Sequence, residues 1–176
     1  MNAITNSVIG PIIGPIIAPI IGIIGGATPS KKEIAIAEAV GRAVGCAGAA
    51  LVCGGLGGVM EAACRGAKSA GGLTIGILPG TDRREANAYV DIPIVTGMRC
   101  ARNIIITRTA QAVIAVGGSY GTLSEVAFSL SFGTPVVGLG TWQVEREGHP
   151  RAPIVYADTP EEAVERALVL VHGRWG

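Results

Sequence analysis

The chain has 176 residues, which is enough for one domain with a substantial core and too few for two of ordinary size. Hydrophobic residues make up 49% of it and charged residues only 15%, so the composition excludes a disordered chain. The formal net charge of +1 gives no field that would attract nucleic acid or an acidic membrane, and neither is expected as a partner.

The first segment, residues 1–19, is apolar and repeats a Pro-Ile-Ile unit. Its prolines at Pro11, Pro15 and Pro19 each remove a backbone donor, which argues against a membrane-spanning helix. The basic region of a secretory signal is also missing. We predict an extended, poorly anchored lead-in, and the alternative that it wraps a neighbouring subunit stays open.

Cysteine and histidine positions do not form a metal-binding pattern. None of the four cysteines belongs to a CxxC pair, and His149 and His172 lie far from all of them in sequence. No metal site is therefore expected. The simpler interpretation is buried or half-buried thiols in a reducing compartment, which predicts a cytoplasmic protein.

The first half of the remaining chain alternates between apolar runs and helical patterns. A strand is predicted over 20–24, followed by Gly25-Gly26 and by a helix to about residue 47. Ser30 and Glu33 have the spacing of a capping box at the start of that helix. A second strand is predicted over 49–53, and the glycines of 54–58 lead into a helix through residue 69.

The second half continues the alternation. Strands are predicted over 73–78, 112–116, 135–139 and 153–156, with a short apolar run over 92–95. Helices are predicted over 99–110, 123–132 and 160–172, the last one with a capping box at Thr159 and proline in its first position. The polar segments 81–89 and 142–151 are predicted to be surface loops.

Strands that are apolar on both faces and joined through helices by short connections are typical of a parallel sheet covered on both sides. The predicted fold class is therefore α/β. It is a single Rossmann-like, doubly wound parallel sheet with helices on both faces, spanning residues 20–176. In such sheets ligands bind outside the carboxyl ends of the strands, where the strand order reverses.

Three glycine clusters occupy that position, after the first, second and fifth predicted strands. Glycine lets the backbone approach a ligand closely, and free amides at a helix N-terminus favour an anion. The predicted phosphate- or ligand-binding residues are Gly25, Gly26, Gly54, Gly55, Gly58, Gly117, Gly118, Ser119, Tyr120, Gly121 and Thr122. The GxxxxGK[ST] motif of P-loop ATPases is missing, and Cys53-Gly54 stands where a dinucleotide site needs an acid.

The loop over 117–125 carries the most chemistry. Hydroxyls of Ser119 and Thr122 stand beside free amides, an arrangement that suits a phosphate. Glu125 follows one turn into the helix, where it is either a simple cap of the helix dipole or a functional carboxylate. Arg102 lies on the preceding predicted helix and is either a surface arginine or a partner of Glu125.

The same loop resembles the PGGxGTxxE motif of LOG-type cytokinin riboside 5′-monophosphate phosphoribohydrolases. Gly118, Gly121, Thr122 and Glu125 match that motif, whereas Gly117 stands at its proline and Ser119 at its second glycine. Arg102 has the spacing of the family's catalytic arginine, but Asn103 follows it where those enzymes usually have lysine. Their usual Met-His pair before the arginine is also not reproduced.

A longer resemblance, over about residues 20–142, is to the molybdenum-cofactor carrier proteins and their bacterial relatives, which share the LOG-like fold. The residues that carry it are 58–60, 66–68, 70–72, 74–76, 78–80, 90–97 and 101–102. The carrier proteins resemble the enzymes in keeping an arginine and a glutamate at this spacing. The pair Arg102 and Glu125 therefore does not separate the two functions.

Three hypotheses follow. The first is a hydrolase that cleaves the N-glycosidic bond of a nucleoside 5′-monophosphate with catalytic residues Arg102 and Glu125 and no required cofactor. The second is a non-catalytic carrier of the molybdenum cofactor, a phosphorylated pterin. The third is a purely structural oligomer, which leaves the glycine loops unexplained. The intact stretch 120–125 favours the hydrolase by a small margin. The low charge and the resemblance both favour a homo-oligomer, dimer or tetramer.

Overall fold

The computed structural model describes residues 18–175, and its strands form one seven-stranded parallel sheet. The strands are β1 (Ile20–Gly25), β2 (Ala50–Cys53), β3 (Thr74–Leu78), β4 (Ile92–Val95), β5 (Ala112–Val116), β6 (Val136–Leu139) and β7 (Ile154–Tyr156). The predicted lead-in lies outside the described residues, apart from Ala18 and Pro19.

Within the described residues, five α-helices connect or follow these strands. They are α1 (Lys31–Cys46), α2 (Val59–Ser69), α3 (Asn103–Thr109), α4 (Tyr120–Ser131) and α5 (Pro160–Trp175). Two short 3-10 turns, Arg83–Glu85 and Arg99–Arg102, lie before and after β4. No described helix is both long enough and apolar enough to cross a bilayer.

The sheet order is β4-β3-β2-β1-β5-β6-β7, so β1 is the central strand. Strands β2 to β4 are added on one side of β1 and strands β5 to β7 on the other, so the strand order reverses between β1 and β5. Gly25 at the end of β1 lies opposite Val116 at the end of β5. The loops that follow these two strands therefore diverge over the carboxyl edge, where a doubly wound sheet leaves a crevice.

Helices cover both faces of the sheet, which confirms the predicted fold class. Ile21 and Ile23 of β1 face a cluster that includes residues of α1, α2 and α5. Ile24 faces a second cluster with Ile106 of α3 and Val126 of α4. This alternation is the period of two that a strand imposes on its side chains.

Glycines let α1 and α2 pack with their backbones nearly in contact. A Cβ atom at Gly41 would overlap the carbonyl oxygen of Ala63, and one at Gly66 would overlap the carbonyl oxygen of Glu38. The start of α1 is fixed by the predicted capping box, in which Glu33 N donates to Ser30 Oγ and Ser30 N donates to the Glu33 carboxylate.

Two boundaries differ from the sequence prediction in ways that affect the site. Helix α4 begins at Tyr120 rather than at residue 123, because Ser119 occupies the N-cap and Gly121 is accommodated inside the first turn. The predicted helix over 99–110 begins as a 3-10 turn, which ends at Arg102. The apolar run Ile92–Val95 is the edge strand β4.

Candidate functional site

A cavity of about 450 Å³ opens at the carboxyl edge of the sheet, against the loops that follow β1 to β5. It covers the point of strand reversal, and its size is that of a small-molecule site. Seven of the predicted site residues line it, namely Gly25, Gly54, Arg102, Ser119, Gly121, Thr122 and Glu125.

The other predicted glycines of the first two loops are placed elsewhere and hold the loops together. Gly55 packs on β3, since a Cβ atom there would lie 2.7 Å from Leu78 Cδ2. Gly58 has φ +73°, and a Cβ atom there would lie 2.5 Å from the carbonyl oxygen of Gly26. That same carbonyl accepts a hydrogen bond from Val59 N at 3.0 Å.

Gly117 and the backbone amide of Gly118 lie against Glu33 at the N-terminus of α1, and neither glycine lines the cavity. A Cβ atom at Gly117 would overlap the carboxylate of Glu33. Hydrogen bonds from Ser30, with a contribution from the Gly118 amide, hold the pKa of Glu33 below its ordinary value. A protein carboxylate thus already lies at this turn. Tyr120, the remaining predicted residue, is 81% exposed and its ring packs against Trp142.

The N-terminus of α4 presents free hydrogen-bonding groups at the cavity. Its first backbone amides have no partner within the helix, because the first helical bond runs from Leu123 N to Ser119 O. Ser119 makes no side-chain capping bond, so its hydroxyl is also free of the helix. Thr122 is 1% exposed, and its Oγ1 has no hydrogen-bond partner among the described residues. Buried polar atoms are rarely left unpaired, so this hydroxyl is a candidate for a hydrogen bond to a ligand.

Arg102 is buried in the middle of the cavity wall. Its Nη1 donates to Asn103 Oδ1 and its Nη2 donates to the carbonyl oxygen of Gly54 at 3.4 Å. Gly54 must be small because the guanidinium crosses directly over it. The Nε of Arg102 has no partner among the described residues, and burial lowers the pKa of the guanidinium from its ordinary value. A buried positive charge with an unused donor favours an anionic or polar ligand.

Glu125 faces Arg102 from α4, with 3.7 Å between Oε1 and Nη1. Both side chains are more than nine-tenths buried. Burial raises the pKa of Glu125 to about 7, although the nearby positive charge of Arg102 opposes that rise. The carboxyl group therefore titrates near neutrality and can hold or accept a proton at the cavity wall.

The remaining wall is largely apolar, with Leu56, Met60 and Pro79 among its residues. Leu56 and Met60 come after the end of β2, and Pro79 comes after the end of β3. The amides of α4 come after the end of β5. The cavity thus combines an end with free backbone amides and an apolar surface, as small-molecule sites commonly do.

Among the cavity residues that sequence reasoning missed, three carry charged or amide side chains, namely Glu85, Arg99 and Asn103. Glu85 belongs to a segment that was predicted to be a plain surface loop. Arg99 is the one non-glycine residue with positive φ, +51°, among the residues the structure describes. Asn103 accepts a hydrogen bond from Arg102 and holds its guanidinium in place. The position of Asn103 directly after that arginine is the one feature of the sequence that could have indicated this role.

The expectation of buried thiols is correct for Cys53 and Cys64 and wrong for Cys46 and Cys100, which are exposed. The sulfur atoms of Cys53 and Cys64 lie 3.5 Å apart. The thiol pKa of Cys64 is raised by its contact with Cys53 and by burial. Within residues 18–175, no three metal-ligating side chains of the His, Cys, Asp or Glu type converge on one point.

Comparison with known proteins gives a family match over most of the chain. The model of the SLOG cluster4 family matches residues 18–164. An uncharacterized protein of Archaeoglobus fulgidus is 42% identical over 151 residues, which cover 83% of this chain and 92% of that protein.

Two solved structures of similar proteins extend the match. The molybdenum cofactor binding protein of the phototrophic bacterium Rippkaea orientalis is 34% identical, with a TM-score of 0.80 over 89% of this chain and 99% of its own. The molybdenum cofactor carrier protein of Chlamydomonas reinhardtii is 36% identical, with a TM-score of 0.76 over 88% of this chain and 99% of its own. The resemblance found in the sequence is thereby confirmed.

Proposed function

The chain belongs to the SLOG cluster4 family, and from that premise we propose that it is a non-catalytic carrier of the molybdenum cofactor, a phosphorylated pterin. The observation that carries the proposal is its likeness to two proteins described as binding or carrying this cofactor, over 99% of each of their chains. Residues 117–125 alone left hydrolase and carrier open, with a small preference for the hydrolase. The whole-chain likeness reverses that preference.

The phosphate of the cargo would lie on the N-terminus of α4. Free amides of the first turn and the Ser119 hydroxyl offer donors there, and the unpartnered Thr122 Oγ1 supplies a further one. The helix dipole adds attraction for a negative charge at this end. Gly117 and Gly118 are not part of this phosphate site in our proposal, because the Glu33 carboxylate already lies against them.

Arg102 would donate from its free Nε to a polar group of the cargo, and Glu125 would balance its charge. Because both are buried, they form a fixed wall rather than a solvated rim. The apolar residues Leu56, Met60 and Pro79 would cover the ring and keep water from it. A carrier of an oxygen-sensitive cargo needs such a phosphate site and such an apolar cover, and it needs no catalytic step.

The carrier function can be tested by protection of the cargo. Molybdenum cofactor released from a molybdoenzyme is mixed with the full-length protein in air, and the surviving cofactor is measured by its ability to activate a cofactor-free acceptor enzyme. We expect the protein to slow the loss of active cofactor several-fold, and Thr122→Val to reduce that protection. Decay as fast as with an unrelated protein would rule out the carrier function.

One observation favours hydrolysis of a nucleoside 5′-monophosphate as a second candidate. A carboxyl group with a pKa of about 7 beside an arginine is suited to proton transfer at neutral pH. Glu125 would contact the ribose or position a water molecule at an oxocarbenium-like transition state, and Arg102 would orient Glu125 and the departing base.

Incubation of the protein with AMP and with prenylated AMP, followed by chromatography for free base, tests this second function. Release of base that Glu125→Gln abolishes would support the hydrolase. Release no faster than in that variant would eliminate it and leave the carrier proposal intact.

A further inference from the structure

The cavity is elongated along the carboxyl edge of the sheet. Its lining comes from the loops after five neighbouring strands, in the order β4, β3, β2, β1 and β5. Adjacent strands lie about 4.8 Å apart, so the α4 end of the cavity after β5 is roughly 14 Å from the end after β3. A ligand that fills it therefore reaches both ends, so the end after β3 can hold a group other than the one held at α4.

Two charged side chains stand at that second end. Glu85 follows β3 in the 3-10 turn Arg83–Glu85, and its carboxylate lies over Gly80. Arg99 follows β4. Both residues line the cavity, and neither side chain forms an ion pair or a side-chain hydrogen bond with the rest of the described chain. An acceptor and a donor of opposite charge are thus both available to a ligand.

The conformation of Arg99 gives independent support for a role at this position. Its φ of +51° lies in the left-handed region, which disfavours any residue with a Cβ atom. Strained residues of this kind persist mainly where a side chain is needed at a site. Glycine would relieve the strain, but it would remove the guanidinium from the cavity.

We propose that Glu85 and Arg99 form a ring-recognition subsite that selects a 2-amino-4-oxo-pyrimidine edge, the edge shared by pterins and guanine. That edge presents the exocyclic amine and the neighbouring ring N–H as two donors, and the oxo group as an acceptor. Glu85 accepts from the two donors and Arg99 donates to the oxo oxygen. An adenine edge offers an amine and an unprotonated ring nitrogen and satisfies neither residue in this order.

The subsite rests on the proposed function, because the phosphate must occupy the α4 end of the cavity for the ring to reach the residues after β3. Three stable probes separate the two parts. GMP carries the full edge, IMP lacks the exocyclic amine, and AMP lacks both that amine and the oxo group. Inorganic phosphate alone probes the α4 end. Binding of each to the full-length protein is measured by titration calorimetry, with phosphate as a competitor.

Wild-type protein is expected to bind GMP more tightly than IMP, and IMP more tightly than AMP. Glu85→Gln should weaken GMP binding about tenfold and IMP binding less, because it removes a charge-assisted bidentate contact. AMP and phosphate should bind this variant as before. Glu61→Gln is the matched control, since Glu61 is an acid of the first turn of α2 that does not line the cavity.

Arg99→Gly is expected to raise the thermal midpoint while it weakens GMP and IMP binding and leaves AMP binding unchanged. Equal affinity for GMP, IMP and AMP, unaffected by Glu85→Gln, would overturn the subsite while phosphate binding still supported the α4 site. Failure of phosphate and of all three nucleotides to bind would overturn the phosphate site as well. A pterin phosphate that binds more tightly than GMP, and loses affinity in Glu85→Gln, would support the subsite and identify the pterin as its ring.

Discussion

Thr122 and Arg102 each contribute a buried hydrogen-bonding atom that the described chain leaves without a partner. An unpaired buried donor costs stability, typically about 1–3 kcal/mol, unless something else binds it. Since both atoms belong to residues that line one cavity, the simplest explanation is a common ligand. In our proposal, the ligand offsets this stability cost when it binds.

Thr122→Val keeps the shape of the side chain and removes its hydroxyl. We expect the free protein to be unchanged or stabilised by about 1 kcal/mol, because an unpaired buried hydroxyl is lost. Phosphate binding should weaken about tenfold, since one donor is missing. Chemical denaturation and calorimetry measure the two effects, with Thr122→Ser as the control that retains the hydroxyl. A destabilised variant with unchanged phosphate affinity would assign Thr122 a purely structural role.

Glu125 should make the free energy of unfolding depend on pH. Its pKa is raised from 4.5 to about 7 in the folded protein, so the folded state holds its proton more tightly than the unfolded state. Stability from this group is fully present below pH 4.5 and is lost as the pH rises towards 7. Glu125→Gln mimics the protonated group, so the variant should match wild type at low pH and exceed it by up to about 3 kcal/mol at pH 8. Denaturation curves across this range measure the difference. A difference that does not change with pH would show that Glu125 ionises normally.

At the scale of the elements, two features position the site. Helix α4 begins at the end of β5 with Ser119 as its N-cap, which directs the free amides into the cavity. Helices α1 and α2 pack closely enough that Gly41 and Gly66 have no space for a side chain. This contact fixes the loops that follow β1 and β2, and with them the cavity residues Gly25 and Gly54.

Alanine at Gly41 or Gly66 should therefore destabilise the fold by a few kcal/mol, because the backbone of the facing helix cannot move away cheaply. Gly173 is the matched control. It lies in α5 with open space around it, so Gly173→Ala should be neutral or stabilise the protein by about 0.5–1 kcal/mol through helix propensity. Thermal unfolding of the three variants tests the contact, and equal effects at all three positions would contradict it.

For the whole molecule, the apolar periodicity was sufficient to predict the parallel sheet, its doubly wound class and the edge at which the cavity opens. Seven of the predicted site residues line the cavity for the same reason, because strand ends and helix starts are visible in the sequence. The glycines at 55, 58 and 117 were assigned to a ligand because a turn glycine and a ligand-contacting glycine look identical in sequence. Glu85 and Arg99 were missed because only the sheet order brings the loops after β3 and β4 to the cavity.

The predicted homo-oligomer is a further property of the whole molecule. Edge strand β4 leaves Ile92, Ile94 and Val95 more than 40% exposed, and Met98 beside them is 46% exposed. Apolar side chains on an unpaired edge are commonly covered by another chain. Light scattering should therefore give a mass of at least twice 17.8 kDa, and Ile94→Lys should lower it. A wild-type mass of a single chain at micromolar concentration would contradict the prediction.

In the proposed function, the α4 end of the cavity holds the phosphate of a pterin cargo. The most direct test is to purify full-length wild type and Thr122→Val from cells that make the molybdenum cofactor. Bound pterin is then quantified by fluorescence after oxidation. We predict pterin in wild type approaching one per chain and several-fold less in Thr122→Val at equal yield of folded protein. No pterin in wild type, or the same amount in both proteins, would contradict phosphate binding at the α4 end of the cavity.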